Sequence, residues 1–136
     1  IIYMAYFITT PIYYVNDVPH IGHAYTTIAC DIFSRFNKLK GNKTFFLTGT
    51  DEHGQKVEKA ALSKQINTQN FVDEMSQNFR ELIPFLGCEI DDFIRTTEKR
   101  HKIATQFLWN KLKDNDQIYL SNYEGWYSIR DEAFYL

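Results

Sequence analysis

The feature that most constrains this chain is an alternation. Short apolar runs rich in β-branched and aromatic residues are separated by longer stretches whose apolar residues recur every three or four positions. The first kind of segment predicts strands and the second amphipathic helices, so the order favours an α/β fold: a Rossmann-like parallel sheet flanked by helices. Residues 5–9 read as the first strand, apolar on both faces, ended by Pro11 and the polar loop of Asn16, Asp17 and Pro19. Over residues 22–39, Ala24, Ile28, Ile32, Phe36 and Leu39 share one helical face, which is expected to pack on the sheet; Gly41 stops the helix. Residues 44–48 read as a second buried strand, 49–54 as a loop and 55–63 as a short helix. A longer helix over 70–86 is expected to bury Phe71, Met75, Phe79, Leu82 and Leu86 and to end at Gly87. Another, over 98–113, is expected to bury Ile103, Phe107 and Leu108. Past Asp116 short aromatic β-like pieces surround a turn at Tyr123, Glu124 and Gly125, which divides the chain into 1–115 and 116–136.

With 136 residues the chain can bury a core without disulfides or metals. Fifteen Lys and Arg against 17 Asp and Glu give a net charge of −2, which argues against a protein that coats a polyanion through surplus cations. Cys30 and Cys88 lie far apart and form no Cys-x-x-Cys, so they support neither a disulfide framework nor a zinc ribbon and read as reduced core thiols of a cytoplasmic protein. The first fifteen residues are apolar enough to mimic a secretion signal, but they lack a basic start, and Thr9, Thr10 and Pro11 interrupt them. No stretch approaches the roughly 20 apolar residues that span a bilayer. With Ile1 first, Met4 inside, and a patterned segment cut at Leu136, the chain reads as a fragment.

In open parallel sheets, ligands bind beyond the carboxyl ends of the strands, and both strand exits here carry unusual residues. The first runs Thr9-Thr10-Pro11-Ile12-Tyr13-Tyr14-Val15-Asn16-Asp17-Val18-Pro19-His20-Ile21-Gly22-His23 into a helix. A helix start offers unsatisfied N–H groups and partial positive charge to a phosphate. His20 and His23, one turn apart, can donate to phosphate oxygens, and Gly22 removes a Cβ where a base or phosphate would approach. The second exit reads Thr48-Gly49-Thr50-Asp51-Glu52-His53-Gly54-Gln55-Lys56. Two acids at a strand end cost stability unless they bind something, and an ammonium suits them. Gly49 to Gly54 has the glycine spacing of a phosphate loop, but Gln55 displaces the lysine, no Ser or Thr follows Lys56, and Asp51 and Glu52 would repel phosphate. No Gly-x-Gly-x-x-Gly exists. A metal held by His20, His23, Asp51 and His53 is chemically allowed but does not explain Gly22. His101 lies in a charged helical stretch and reads as solvated; Lys38, Lys40 and Lys43 suit a helix carboxyl end.

Pro19-His20-Ile21-Gly22-His23 resembles the His-Ile-Gly-His motif of class I aminoacyl-tRNA synthetases. The fuller first string, with Phe46-Leu47-Thr48-Gly49-Thr50-Asp51-Glu52-His53-Gly54-Gln55-Lys56, Asp92-Phe93-Ile94-Arg95-Thr96-Thr97 and Tyr123-Glu124-Gly125-Trp126-Tyr127, is similar to the bacterial methionyl-tRNA synthetases over nearly the whole chain. The resemblance implies the first half of a class I catalytic domain followed by the start of a connective insertion. It implies an enzyme that makes methionyl-adenylate from methionine and ATP, with Mg2+, and then charges tRNA(Met). Carried over position by position, it puts Pro19, His20, Ile21, Gly22 and His23 on ATP, with His20 and His23 as the catalytic pair. It puts the Ile12 carbonyl and Asp51 on the methionine ammonium and Tyr14 in the thioether pocket; His53 either joins this site or is held by loop backbone. Many relatives carry a zinc-binding Cys-x-x-Cys where this chain has Ser128 and Asp131, so no zinc is expected in this segment. The lysine-rich loop of the family is absent from these residues, so the segment by itself is expected to be inactive or nearly so.

Overall fold

The computed structural model describes residues 5–135; Met4 and the chain ends lie outside them. The chain divides into two compact units, Ile1–Lys102 and Ile103–Leu136.

The first unit is built on a four-stranded parallel sheet: β1 (Ala5–Thr9), β2 (Tyr13–Tyr14), β3 (Lys43–Asp51) and β4 (Asp92–Arg95). Helix α1 (Ile21–Leu39) joins β2 to β3, and α2 (Gln55–Ser63) and α3 (Thr68–Phe85) join β3 to β4. Strand β3 is central. β1 pairs with its first residues, Ala5 opposite Lys43 through Thr9 opposite Leu47. β2 pairs with its end, Tyr13 opposite Thr50 and Tyr14 opposite Asp51. Leu47 through Thr50 also pair with Asp92 through Arg95, so β4 occupies the other edge. The core lies between this sheet and α2 and α3, from Tyr13, Val15, Val57, Ala61, Phe71, Val72, Met75, Phe79, Ile83 and Phe93. Asn67 caps α3 by accepting the Gln69 N–H at 2.8 Å, and Gly87, with φ +67°, turns the chain out of its carboxyl end.

Several expectations are corrected. The helix after the first exit forms where predicted, but its sheet side carries Thr27, Asp31 and Ser34, while Ile28, Ile32, Phe36 and Leu39 are exposed. Thr27 and Asp31 are tolerated inside because they have partners, whereas the buried Ser34 hydroxyl has none among the described residues. Thr27 Oγ1 lies 2.8 Å from the Tyr13 hydroxyl, and Asp31 accepts from the Glu89 N–H at 3.0 Å and from Arg35 Nε at 2.6 Å. β1 is likewise not covered on both faces, Phe7 being 62% exposed and stacked on the exposed Phe45. The loop expected over 49–54 starts later, since Gly49, Thr50 and Asp51 continue β3 against β2 and β4. A Cβ at Gly49 would fall 1.9 Å from the Ile94 carbonyl oxygen, so this close pairing requires glycine. In α3, Ile83 rather than Leu82 or Leu86 completes the buried face.

The second unit holds most of α4 (Lys99–Asp114) and an antiparallel hairpin of β5 (Trp126–Ser128) and β6 (Ala133–Tyr135). Ile103, Phe107 and Leu108, expected in a core, are each more than half exposed. The turn joining these strands falls after Ser128, not at Tyr123 to Gly125. Asp131 closes it, its N–H donating to Ser128 Oγ at 3.2 Å and its carboxylate accepting from the Ser128 and Tyr135 hydroxyls at 2.7 and 3.1 Å.

Candidate active site

Both exits open at the carboxyl ends of parallel strands, as ligand sites in such sheets do. Thr10 anchors the first, its hydroxyl 2.6 Å from that of Thr48 in β3. The chain then pairs briefly as β2 and turns into α1, whose N-cap is His20 in extended backbone (φ −130°, ψ 177°). His20 Nδ1 accepts the Gly22 N–H at 3.1 Å, and His23 Nδ1 accepts the His20 N–H at 3.1 Å. This is a reciprocal capping box built from two imidazoles in place of a hydroxyl and a carboxylate.

The cap fixes the chemistry of both rings. A ring nitrogen that accepts carries no proton, so each neutral imidazole holds its proton on Nε2 and keeps an N–H donor for a ligand. Burial, and then the neighbouring His20, push the His23 pKa below its ordinary value and favour this neutral form. The rings lie 3.9 Å apart at 36°, and His23 meets Tyr13 and Phe79 edge to face at 4.9 and 5.0 Å. Gly22 makes room for the pair: a Cβ there would stand 2.9 Å from His20 Cε1 and 3.1 Å from Nδ1. No acid sits in the first turn of α1 to repel an anion, although the Gly22 N–H is already taken by His20 Nδ1. Pro19, just before the cap, is half-buried, and Ile21 is 87% exposed.

At the second exit two adjacent acids have different fates. Asp51 ends β3 beside Tyr14, half-buried, and its carboxylate has no hydrogen bond or ion pair among the described residues. The Glu52 side chain is completely buried. It accepts from Arg95 Nε at 2.7 Å, Arg95 Nη2 at 2.9 Å, Thr50 Oγ1 at 2.7 Å and the Thr97 hydroxyl, while its N–H donates to Thr96 Oγ1 at 2.9 Å. Burial alone would raise the Glu52 pKa, but the donors from Arg95, Thr97 and Thr50 outweigh it and hold the carboxyl below its ordinary value. The hydrogen bond to Glu52 leads the causes that hold the Arg95 guanidinium well above its own. Arg95 Nη2 also reaches Asp73 at 2.5 Å.

The expectation that both acids await a ligand is therefore corrected: Glu52 is satisfied inside the protein. Sequence reasoning missed Arg95, Thr97 and Asp73; a lone arginine in the β-rich run of residues 92–97 was the available signal. Tyr14 and Asp51 lie side by side in the sheet, with exposed Ile12 on the approach to β2. His53 is exposed, with Nε2 3.4 Å from the Thr96 carbonyl oxygen. Among the described residues no three His, Cys, Asp or Glu side chains group as a metal would need, so His20, His23, Asp51 and His53 do not assemble as the metal alternative required.

The model of the family described as tRNA synthetases class I (M) matches residues 6–136. The chain belongs to that family. It is 63% identical to the methionine–tRNA ligase of Rickettsia bellii over 130 residues, which cover 96% of this chain and 26% of the relative. It is 52% identical to the Bacillus subtilis methionine–tRNA ligase over 130 residues, 20% of that protein. A solved structure of Mycobacterium tuberculosis methionyl-tRNA synthetase in complex with methionyl-adenylate superposes with a TM-score of 0.91 at 44% identity, covering 97% of this chain and 26% of that one. The chain thus spans about a quarter of the length of its Rickettsia relatives. The α/β fold with a parallel sheet and flanking helices is that of the class I catalytic domain.

Proposed function

We propose that this chain supplies the amino-terminal half of the catalytic domain of a methionine–tRNA ligase, in which residues 1–115 build the nucleotide half and 116–136 begin a connective insertion. The observation that carries the reading is the pairing of two imidazoles, each accepting a backbone N–H through Nδ1 at a helix start, with a carboxylate at the neighbouring strand end that has no hydrogen bond or ion pair among the described residues. That arrangement suits two ligand charges of opposite sign: a nucleoside triphosphate on α1 and an amino-acid ammonium on Asp51.

In the proposed reaction one oxygen of the methionine carboxylate attacks the α-phosphorus of ATP. The bond to the bridging oxygen breaks and pyrophosphate leaves, so no covalent enzyme intermediate forms. His20 and His23 donate to phosphate oxygens as charge develops, an interaction stronger in the transition state than in the ground state. The Gly22 backbone lets the nucleotide approach, with Pro19 and Ile21 completing that turn. Asp51 and the Ile12 carbonyl hold the ammonium, Tyr14 lines the thioether pocket and His53 borders it, so the carboxylate is delivered in line. Mg2+ enters with ATP as part of the substrate. The activated methionine then passes to the terminal adenosine of tRNA(Met) in the cytoplasm. No helix of the described residues is long and apolar enough to cross a membrane.

The test is amino-acid-dependent ATP–pyrophosphate exchange by the full-length protein. Exchange stimulated by methionine well above leucine, isoleucine or valine supports the reading. Preference for an aliphatic amino acid, or no exchange with nucleotide still bound, overturns it in favour of another synthetase or of a binding module.

A further inference from the structure

The Glu52 network is larger than burying one carboxylate requires. It draws on β3 (Thr50, Glu52), on β4 and the loop after it (Arg95, Thr96, Thr97) and on α3 (Asp73). It sits one residue from Asp51. We propose that Arg95 and Glu52 form a positioning pair for the ammonium site, holding Asp51 in place and keeping its carboxylate unpaired. The inference rests on the reading of Asp51 as the ammonium partner.

Two physical arguments support it. The first concerns geometry. Side chains alternate across a strand, so Glu52 and Asp51 leave the end of β3 on opposite sides. Among the described residues the Asp51 carboxylate makes no hydrogen bond or ion pair that would fix its direction, so its orientation is inherited from its neighbours. Thr50 is paired on both edges, with Tyr13 and with Arg95, and the Glu52 backbone and side chain are tied to Thr96, Thr97 and Arg95. Anchors at 50 and 52 leave the backbone of residue 51 no freedom to turn.

The second concerns charge. Arg95 brings a permanent cation to the residue pairing with Thr50, immediately before Asp51. It lies on the side of the strand that Glu52 takes, and left uncompensated there its field would reach across the sheet to the Asp51 carboxylate and weaken the hold on a substrate ammonium. Glu52, bidentate, and Asp73 together give the guanidinium two carboxylates. An arginine so engaged holds the loop without quenching the site, which explains how an anionic pocket survives beside a cation. Glu52 and Arg95 act through Asp51 and touch no reacting atom.

The experiment compares full-length Glu52→Gln, Arg95→Gln, the double variant, and Asp51→Asn in pyrophosphate exchange, with the KM for methionine and for ATP measured separately. Glu52→Gln is expected to raise the methionine KM at least tenfold and leave the ATP KM within twofold. The double variant, which removes both charges and keeps amide hydrogen bonding, is expected to recover a tenfold loss to threefold or less. Should Glu52→Gln fail to fold, Asp73→Asn replaces it, removing the exposed partner of Arg95; it is expected to raise the methionine KM two- to threefold. Equal changes in both KM values, or a double variant no better than Glu52→Gln, would show scaffolding alone and overturn the proposal. If Asp51→Asn leaves the methionine KM unchanged, the ammonium reading itself fails. If Asp51→Asn raises it while Glu52→Gln and Asp73→Asn do not, the positioning pair alone fails.

Discussion

Replacing Gly22 by alanine separates stability from function at the helix start. Two terms in stability nearly cancel. Alanine inside a helix is favoured over glycine by about 1 kcal/mol. Against this, the new Cβ meets His20 Cε1 at 2.9 Å and Nδ1 at 3.1 Å, and the atoms it meets belong to a side chain that can swing away. The ring moves, and the Gly22 N–H to Nδ1 cap is lost, which costs about 1 kcal/mol. The net change is expected below about 0.5 kcal/mol, a shift of about 2 °C in Tm for a domain of this size. Function does not cancel. A displaced His20 no longer presents Nε2–H beside that of His23, and losing one preorganised donor costs about a hundredfold or more in rate. Thermal melting and methionine-dependent pyrophosphate exchange on the same full-length variant read the two quantities. An exchange rate within threefold of the parent would refute the account of the imidazole pair. A Tm loss of 8 °C or more would show that the ring cannot yield.

Gly49→Ala should act in the opposite sense, because its Cβ meets backbone, the Ile94 carbonyl oxygen at 1.9 Å, and β4 must leave β3. A loss of about 3 kcal/mol or more is expected in denaturant unfolding, and one under about 1 kcal/mol would contradict the register. The titrating groups predict stability that falls with acid in two windows. His23 is held below its ordinary value of about 6.5, so the unfolded chain binds the extra proton; stability climbs as pH rises through that window and levels above it. Glu52 is held below about 4.3, so its contribution is whole above that pH and is lost as pH falls through the lower folded value. Unfolding free energies from pH 3 to 8 for the parent and His23→Gln test this; a parent curve flat between pH 5 and 6.5 would refute the His23 part.

Element types were largely legible because the helices are periodic and the long strand is β-rich. Two strands were not. β2 contributes Tyr13 and Tyr14 only, too short for any alternation to register, and β4 reads as the charged string Asp92-Phe93-Ile94-Arg95, in which Phe93 alone is buried. Both owe their pairing to β3, a partner distant in sequence. At the site, the sequence placed His20, Gly22, His23 and Asp51 at strand exits, where the structure finds them. Residue chemistry alone could not tell Asp51 from Glu52, and only the family resemblance singled out Asp51. The distinction depends on Arg95 and Thr97, 43 and 45 positions from Glu52, arriving across the sheet.

Helix α1 shows why a correct period can be assigned to the wrong face. Half-buried His23 and the buried Thr27, Asp31 and Ser34 lie four, four and three residues apart, a stripe as regular as the apolar one but invisible to hydropathy. Thr27 and Asp31 are buried with partners, and Thr27 shows most directly what a partner does. Its hydroxyl donates to the His23 carbonyl at 2.9 Å, so the Tyr13 hydroxyl, 2.8 Å away, must donate to it. Thr27→Val keeps shape and increases apolarity, which hydropathy would score as a gain. It leaves the buried Tyr13 hydroxyl with only the His23 carbonyl at 3.4 Å, and a buried donor without a good acceptor costs about 1–3 kcal/mol. Tyr13 also packs edge to face on the His23 ring, so the disturbance reaches the imidazole pair. Thr27→Val is therefore expected to destabilise the full-length protein by that amount in denaturant unfolding and to slow pyrophosphate exchange. Thr27→Ser, which keeps the hydroxyl, should restore most of the exchange rate. A valine variant as stable as the parent would mean that this face is held by packing alone.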